Sequence, residues 1–301
     1  MIQGSIDLNL LVIFDAIMRE RSVTKAAARL KLAQPVVSHA LIRLRKALSD
    51  ELFVPAPGCM VPTPEAERLA KTVRSSLAEL DAAVQCAEPF EPATADQRFA
   101  IAISNQAALV VAAPLVQAVL AEAPMVSLDF RGGIALDLAD RLDHGELDLA
   151  IGETSALGGR FSDRRLFHDR LVALMRQGHP ASAPGALTLS TLAALPHLEA
   201  VYSDERTKFI DEALARENLS RRVVLRAPLY AVSMTLLDTD TVAVICERAA
   251  RNLMRLMPLA IAPLPFPSPD LTTAMTWHRR YGDSARLRWL RQVVIRVARA
   301  C

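Results

Sequence analysis

Cysteine is sparse here. Cys59, Cys86, Cys246 and Cys301 are the whole complement among 301 residues, and no two form a CxxC pair. That scatter argues against a disulfide framework or a zinc site and for a reducing compartment. Tracts polar enough to stay disordered are also missing: 51% of the residues are hydrophobic and 23% charged, the balance of a folded globular protein. The first residues have no basic segment, apolar run and small-residue cleavage site in succession, so no export signal is expected. The most apolar stretch, 107–123, is broken by Pro114 and Gln117 and falls short of the roughly 20 clean residues of a membrane span. No membrane association is expected.

Catalytic signatures are absent as well. Gly132-Gly133 and Gly158-Gly159 lie outside the GxGxxG and GxxxxGK frames that cradle phosphate. His179 and His278 have no carboxylate partner or metal-ligand spacing, and turn or strand packing explains them better. No catalytic residue, metal or cofactor is expected. A redox switch through Cys246 would call for a nearby resolving cysteine, which the sequence does not place beside it.

Net charge is only +2, but it is unevenly spread. Residues 19–46 hold eight basic side chains, Arg19, Arg21, Lys25, Arg29, Lys31, Arg43, Arg45 and Lys46, against the single acid Glu20. The same region reads as three helices. Leu11, Phe14 and Met18 share one face of the first. Ser22 is placed to cap the second, in which Ala26, Ala27 and Ala28 are small enough for a close helix crossing. The third begins near Gln34 and Pro35, where a missing amide costs nothing. Its buried stripe is Val37, Leu41, Leu44 and Leu48; the opposite face carries Gln34, Ser38, His39, Ile42, Arg43 and Lys46. Leu52, Phe53 and Val54 form a β-like run, and 55–62, with Gly58, suits a wing hairpin. Thr63 then caps a helix with Pro64, Glu65 and Glu67 in its first turn. Along it Ala66, Leu69, Val73, Leu77, Leu80 and Val84 recur at alternating three and four residues, a coiled-coil seam for a second chain or a packing face for the C-terminal domain.

After Pro89 and Pro92 the pattern changes to α/β. Strands are expected at 99–103, 126–131, 147–151, 171–175, 198–201, 222–225, 242–245 and 272–277, with helices at 107–121, 135–144, 205–217, 230–237, 248–257 and 284–298. In open α/β sheets ligands bind beyond the carboxyl ends of strands. This picks out Ser104, Asn105, Gly132, Gly133, Tyr202, Ser203, Cys246 and Glu247 as candidate effector-binding residues; each could equally be an ordinary loop or cap residue.

The set Leu11-x-x-Phe14, Ser22-x-Thr24-x-Ala26-Ala27-x-x-Leu30, Gln34-Pro35-x-x-Ser38, Leu44-Arg45 and Leu52-Phe53 resembles the N-terminal signature of LysR-type transcriptional regulators. Further on, 145–152, Gly178-His179-Pro180, Trp277-His278 and Trp289-Leu290-Arg291 resemble that family's sensor domain. The opening 7–11 and the terminal 283–291 are similar to the subgroup with nodulation and aromatic-degradation regulators. The resemblance implies a multidomain α/β protein. A winged helix-turn-helix (1–62) and a linker or dimerisation helix (63–88) would precede a two-lobed, periplasmic-binding-protein-like effector domain (92–301). Lobe I would take about 95–165 and 267–301 and lobe II about 166–266, with crossovers near 164–167 and 263–269. It also implies double-stranded promoter DNA and a small aromatic or carboxylate effector as partners, and assembly as a homodimer or homotetramer in the cytoplasm.

On this reading Ser22, Thr24, Lys25, Gln34, Pro35, Ser38, His39, Arg43, Arg45 and Lys46 meet DNA. Gln34 and Ser38 address base edges, while the cations neutralise phosphates. Effector binding between the lobes would then shift the arrangement of the dimers. Three positions depart from the family pattern: Pro55 stands where the wing commonly has arginine, Ala33 where serine or threonine usually caps the reading helix, and His39 varies the base-facing set. The rival readings are an enzyme or solute-binding protein with an incidental basic N-terminus, and a DNA-coating protein without sequence preference, which would show a salt slope but no discrimination between duplexes.

Overall fold

The computed structural model describes residues 7–87, 89–132, 137–153, 157–200 and 204–301. The chain divides into two compact units, Met1–Ala87 and, 143–145 apart, the remainder from Glu88 to Cys301.

The first unit contains α1 (Leu8–Glu20), α2 (Val23–Leu30), α3 (Gln34–Leu48), β1 (Phe53–Ala56), β2 (Cys59–Pro62) and α4 (Pro64–Ala87). Each early boundary has a local cause. Asp7 accepts the Asn9 amide at 2.9 Å to open α1, and Arg21, at φ +50°, closes it. Ser22 accepts the Lys25 amide at 3.3 Å, so the expected cap on α2 is present. Ala33 precedes α3 without any side-chain cap, and Pro35 occupies an early helical position whose amide has no acceptor. Phe14, Ile17, Ala26, Val37, Leu41, Leu44 and Phe53 form the common core, with the Phe14 and Phe53 rings 5.7 Å apart.

The expected strand at 52–54 begins one residue late, because Leu52 sits in the left-handed region at φ +56°. Its amide donates to Asp50 Oδ1 at 2.6 Å, and its carbonyl accepts the Thr63 amide at 2.9 Å. The Thr63 hydroxyl donates to the same Asp50 oxygen at 2.7 Å while also accepting the Ala66 amide at 3.1 Å, so one side chain caps α4 and pins the wing. A left-handed leucine costs about 1–2 kcal/mol; complete burial of its side chain offsets that. The wing itself is a tight antiparallel hairpin pairing Ala56 with Cys59, and Gly58 supplies the positive φ of +77° that the turn requires.

The α4 seam splits in two. Ala66, Ala70 and Val73 are buried in the first unit's own core, with Leu69 and Leu77 packed against it, and Arg74 pairs with Asp15 at 2.9 Å. Leu80 and Val84 remain 48% and 59% exposed.

The second unit runs β3 (Arg98–Ile103), α5 (Asn105–Glu122), β4 (Ser127–Gly132), α6 (Leu138–Asp143), β5 (Leu149–Gly152), β6 (Phe161–Asp169), β7 (Leu171–Arg176), α7 (Leu189–Ala194) and β8 (Pro196–Ala200). It continues through α8 (Asp204–Ala215), β9 (Arg222–Ala227), α9 (Leu229–Leu237), β10 (Val242–Cys246), α10 (Glu247–Met254), β11 (Leu259–Pro263), β12 (Leu271–His278) and α11 (Ala285–Ala300). Two five-stranded mixed sheets result, ordered β4-β3-β5-β12-β6 and β11-β7-β10-β8-β9.

Strands β6 and β11 and helix α7 were not expected. The crossover expected at 164–167 falls inside β6, which pairs antiparallel with β12 from Phe161–His278 to Asp169–Leu271 across one bulge. The chain therefore passes between sheets at Arg170, and it returns through 264–270, between β11 and β12. By length and composition alone α5 could cross a membrane, contrary to the expectation from 107–123. It contacts α10 and α11, with Val110, Val111, Leu115 and Val119 buried and Val116 and Leu120 exposed.

Candidate functional site

Two groups of residues carry the functional expectations, one on each unit. On the first, α3 is held from behind by Val37, Ala40, Leu41 and Leu44, all buried, which leaves the far side of the helix exposed. Gln34, Pro35, His39, Arg43 and Lys46 lie on that side, and Ser38 is half-buried at its margin. Gln34 Nε2 donates to Ser38 Oγ at 2.8 Å. Residues four apart on a helix are neighbours, so this bond fixes both side chains while leaving the Gln34 carbonyl oxygen and the Ser38 hydroxyl proton available to a partner. Thr24 and Lys25 are exposed in the first turn of α2, and Ser22 is committed to its cap. Among the described residues Lys25, Arg43 and Lys46 make no ion pair or side-chain hydrogen bond. A depression of about 400 Å³ separates His39 and Arg43 from the start of α1 at Asp7 and Asn9, so neither is crowded from that side.

Arg45 behaves differently from the phosphate-binding group expected of it. Its guanidinium donates to the carbonyl oxygens of Glu51 and Phe53, both at 2.8 Å, and lies 3.3 Å from the Glu51 carboxylate. Two residues from Arg43 and one from Lys46, it ties the reading helix to the wing. Sequence alone could not separate these three cations, because the distinction lies in where the chain returns after Ser49.

On the second unit the strand ends converge. In the first sheet β3, β4 and β5 are parallel, and Ile103 pairs with Gly132 and with Ile151, so Ser104, Asn105 and Gly132 share one edge. Ser104 caps α5 by accepting the Ala107 amide at 3.2 Å, Asn105 is half-exposed and Gly132 is exposed. In the second sheet β8, β9 and β10 are parallel and end at a common edge, with Cys246 closing β10. Gly133, Tyr202 and Ser203 lie outside the described residues.

A residue that the strand-end reasoning passed over joins the two edges. Gln106, buried at the start of α5, accepts the Cys246 amide through Oε1 at 2.6 Å. Its neighbours Ser104 and Asn105 were singled out because they directly follow a strand; Gln106 is one helical residue further and gives no local signal. Glu247 is already engaged by arginines at the end of β10. Its carboxylate binds Arg170 at 2.5 Å and Arg251 at 2.5 Å, and its amide donates to the Arg170 carbonyl at 2.8 Å. The hydrogen bond from Arg170 holds the Glu247 carboxyl below its usual range, against the opposing effect of partial burial. The Leu171 amide donates to Ser268 Oγ at 2.8 Å, which joins the two crossovers. Glu247 thus ties the start of α10 to the crossover at Arg170. Beside it, burial raises the Asp169 carboxyl, opposed by the backbone amides of Arg170 and Arg248. No group of three or more potential metal ligands occurs among the described residues.

Residues 8–67 match the family described as the bacterial regulatory helix-turn-helix protein, lysR family, and residues 93–299 match the LysR substrate binding domain. The HTH-type transcriptional activator NagR of a Ralstonia species is 33% identical over 291 residues, covering 96% of each chain. Nodulation protein D 1 of Rhizobium leguminosarum bv. phaseoli is 33% identical over 299 residues, covering 97% of this chain and 93% of that one. Nodulation proteins therefore stand among its relatives, as the terminal motifs implied. Among solved structures, a probable transcriptional regulator from Pseudomonas aeruginosa superposes with a TM-score of 0.72 at 31% identity and 96% coverage of both chains. A full-length OxyR variant from the same organism has a TM-score of 0.76 at 19% identity, covering 99% of this chain and 96% of that one, and shares the fold. With a helix-turn-helix head whose third helix presents an exposed polar and cationic face, and a two-sheet α/β domain following it, the chain belongs to the LysR family of transcriptional regulators.

Proposed function

We propose that this regulator binds a two-fold promoter site as a homodimer, α3 of each chain entering the major groove. Gln34, Ser38 and His39 meet base edges there, and Lys25, Arg43 and Lys46 neutralise phosphates. The observation that carries this reading is the face of α3: a Gln34–Ser38 pair fixed by its own hydrogen bond, set among cations without acidic partners. Pro35 and Thr24 lie within the same exposed surface, and Ser22 acts by ordering the first turn of α2. Arg45 contributes by holding the wing against α3. Leu80 and Val84, apolar and exposed one helical turn apart on α4, support pairing of two chains along that helix, alone or as a dimer of dimers.

The reading divides the chain into a winged helix-turn-helix (1–62), a linker helix (63–88) and an effector domain (92–301) whose lobes correspond to the two sheets. A small aromatic or carboxylate compound binds between them, near Ser104, Asn105, Gly132 and Cys246. Its preference for one lobe arrangement changes the spacing of the paired reading helices. The protein works in the cytoplasm, as a regulator rather than an enzyme, without metal or cofactor.

The test is a footprint on the DNA upstream of its own coding sequence, comparing wild type, Ser38→Ala and Arg43→Ala at two salt concentrations. Wild type is expected to protect a discrete two-fold site. Ser38→Ala should lose discrimination from random duplex, and Arg43→Ala should weaken binding to all duplexes with a shallower salt dependence. Equal protection of random and upstream DNA by wild type would replace the regulator reading with that of a DNA-coating protein.

A further inference from the structure

One member of the reading face cannot be explained by hydrogen bonding or charge. Ile42 is 58% exposed and lies outside the core cluster of the first unit. Single exposed apolar residues are ordinary on a protein surface, so exposure alone carries nothing. Its position does. At 100° per residue Ile42 lies on the side of α3 opposite Val37, Ala40 and Leu44, all buried. Ser38 is one turn before it, Lys46 one turn after, and Pro35, also exposed, two turns before on the same line. Two exposed apolar side chains, Pro35 and Ile42, therefore stand near the middle of a face otherwise made of hydrogen-bonding and cationic groups. Helix stability does not account for it, because a β-branched residue forms helix less readily than alanine, lysine or arginine.

The major groove has one apolar feature at its base edges, the C5-methyl group of thymine. We infer that Ile42 is a specificity-determining residue that packs on a thymine methyl in each half-site. The surrounding charge selects this occupant: Lys25, Arg43 and Lys46 are exposed on the same surface and suit the phosphates of a duplex, whereas an apolar protein partner would leave three cations to desolvate. The assignment rests on the DNA-reading role of α3, and it adds which base is read through apolar contact.

The full-length protein is used to enrich a randomised duplex pool. Affinity is then measured for the enriched duplex and for versions in which each thymine in turn becomes deoxyuridine, which removes only the methyl. Wild type is expected to weaken about fourfold at one thymine per half-site, the ratio that burial of a single methyl supplies, and to be indifferent elsewhere. Ile42→Ala should bind the thymine duplex about as weakly as wild type binds the uracil one, with no further loss on uracil and an unchanged melting temperature. Wild type insensitive to every replacement, or Ile42→Ala still as sensitive as wild type, overturns the inference while the enriched site upholds DNA reading. A pool that enriches no sequence removes both.

Discussion

On α3 the polar groups point into solvent with hydrogen-bonding capacity unspent, whereas at the strand ends of the second unit the polar groups already bind one another. Gln34, Ser38, His39 and Arg43 can meet a partner without giving up contacts to the rest of the fold, apart from the bond between the first two. Gln106, the Cys246 amide and Glu247 are engaged across the two sheets or across the crossovers. A surface of the first kind reads a rigid template at little cost in reorganisation. A site of the second kind responds to a ligand only by exchanging existing bonds for new ones, which is what coupling binding to a change of arrangement requires. Function and stability should therefore separate under mutation on α3 and move together at the strand ends.

The sharpest way to break that comparison lies within α3 itself. Arg45→Ala removes two charge-assisted hydrogen bonds to backbone carbonyls, and an unfolding free energy lower by about 2–4 kcal/mol is expected in urea titration. Arg43→Ala should change it by no more than about 0.5 kcal/mol while weakening DNA binding. Two arginines with equal effects on stability would mean that the wing is not held through α3.

At the strand ends, Gln106→Ala removes the Oε1 that accepts the buried Cys246 amide, a loss of about 1–3 kcal/mol. Gln106→Glu keeps an acceptor oxygen and should recover part of it. Hydrogen exchange at the Cys246 amide gives the local readout: faster in the alanine variant, near wild type in the glutamate variant. Unchanged exchange in Gln106→Ala would show that the two sheets are not linked there.

A smaller, pH-dependent effect belongs to the second sheet. His197 is buried, and desolvation holds its imidazole below the ordinary range near 6.5; its Nε2 lies 2.8 Å from the Leu192 carbonyl oxygen, which acts in the opposite direction. The unfolded chain therefore binds the proton first as pH falls. With the folded-state value depressed, the associated stability is fully present above the unfolded value and is lost as pH drops below it. Unfolding free energy of the second unit should decline from pH 7 toward pH 5, and His197→Gln should flatten that decline. A variant with the wild-type slope would assign the proton uptake elsewhere.

How much of this was legible in the sequence follows from which forces are local. Caps at Ser22 and Thr63, the three-and-four spacing of α1 and α3 and the buried strands β3, β5, β7 and β10 declare themselves, because the residues that make them are adjacent or periodic. Strand β6 does not: as an edge strand it exposes Asp163, Arg164 and Arg165, and its pairing with β12 spans more than a hundred residues. Strand β11 is a short run between Pro258 and Pro263, which read as loop. The left-handed Leu52 is set by Asp50 and Thr63 together. The α4 seam looked uniform because periodicity reports which residues want burial and not what buries them. Sequence likewise lined up the strand-end residues but gave no sign that Gln106 bridges two sheets, a fact of packing alone.

The smallest expected change tests whether the uncapped start of α3 limits the reading face. Ala33 has the extended backbone of a cap residue, φ −70° and ψ 139°, but no oxygen to offer the amides of the first turn. Ala33→Ser supplies one without altering the backbone, and should stabilise the first unit by about 0.5–1 kcal/mol. Because Gln34 and Pro35 stand in that same turn, hydrogen exchange of the α3 amides should slow there first. If exchange slows and affinity for an enriched duplex rises with it, fraying of the first turn is a cost of DNA binding. If stability rises with affinity unchanged, the reading face is already ordered by the Gln34–Ser38 bond, and Ala33 leaves recognition untouched.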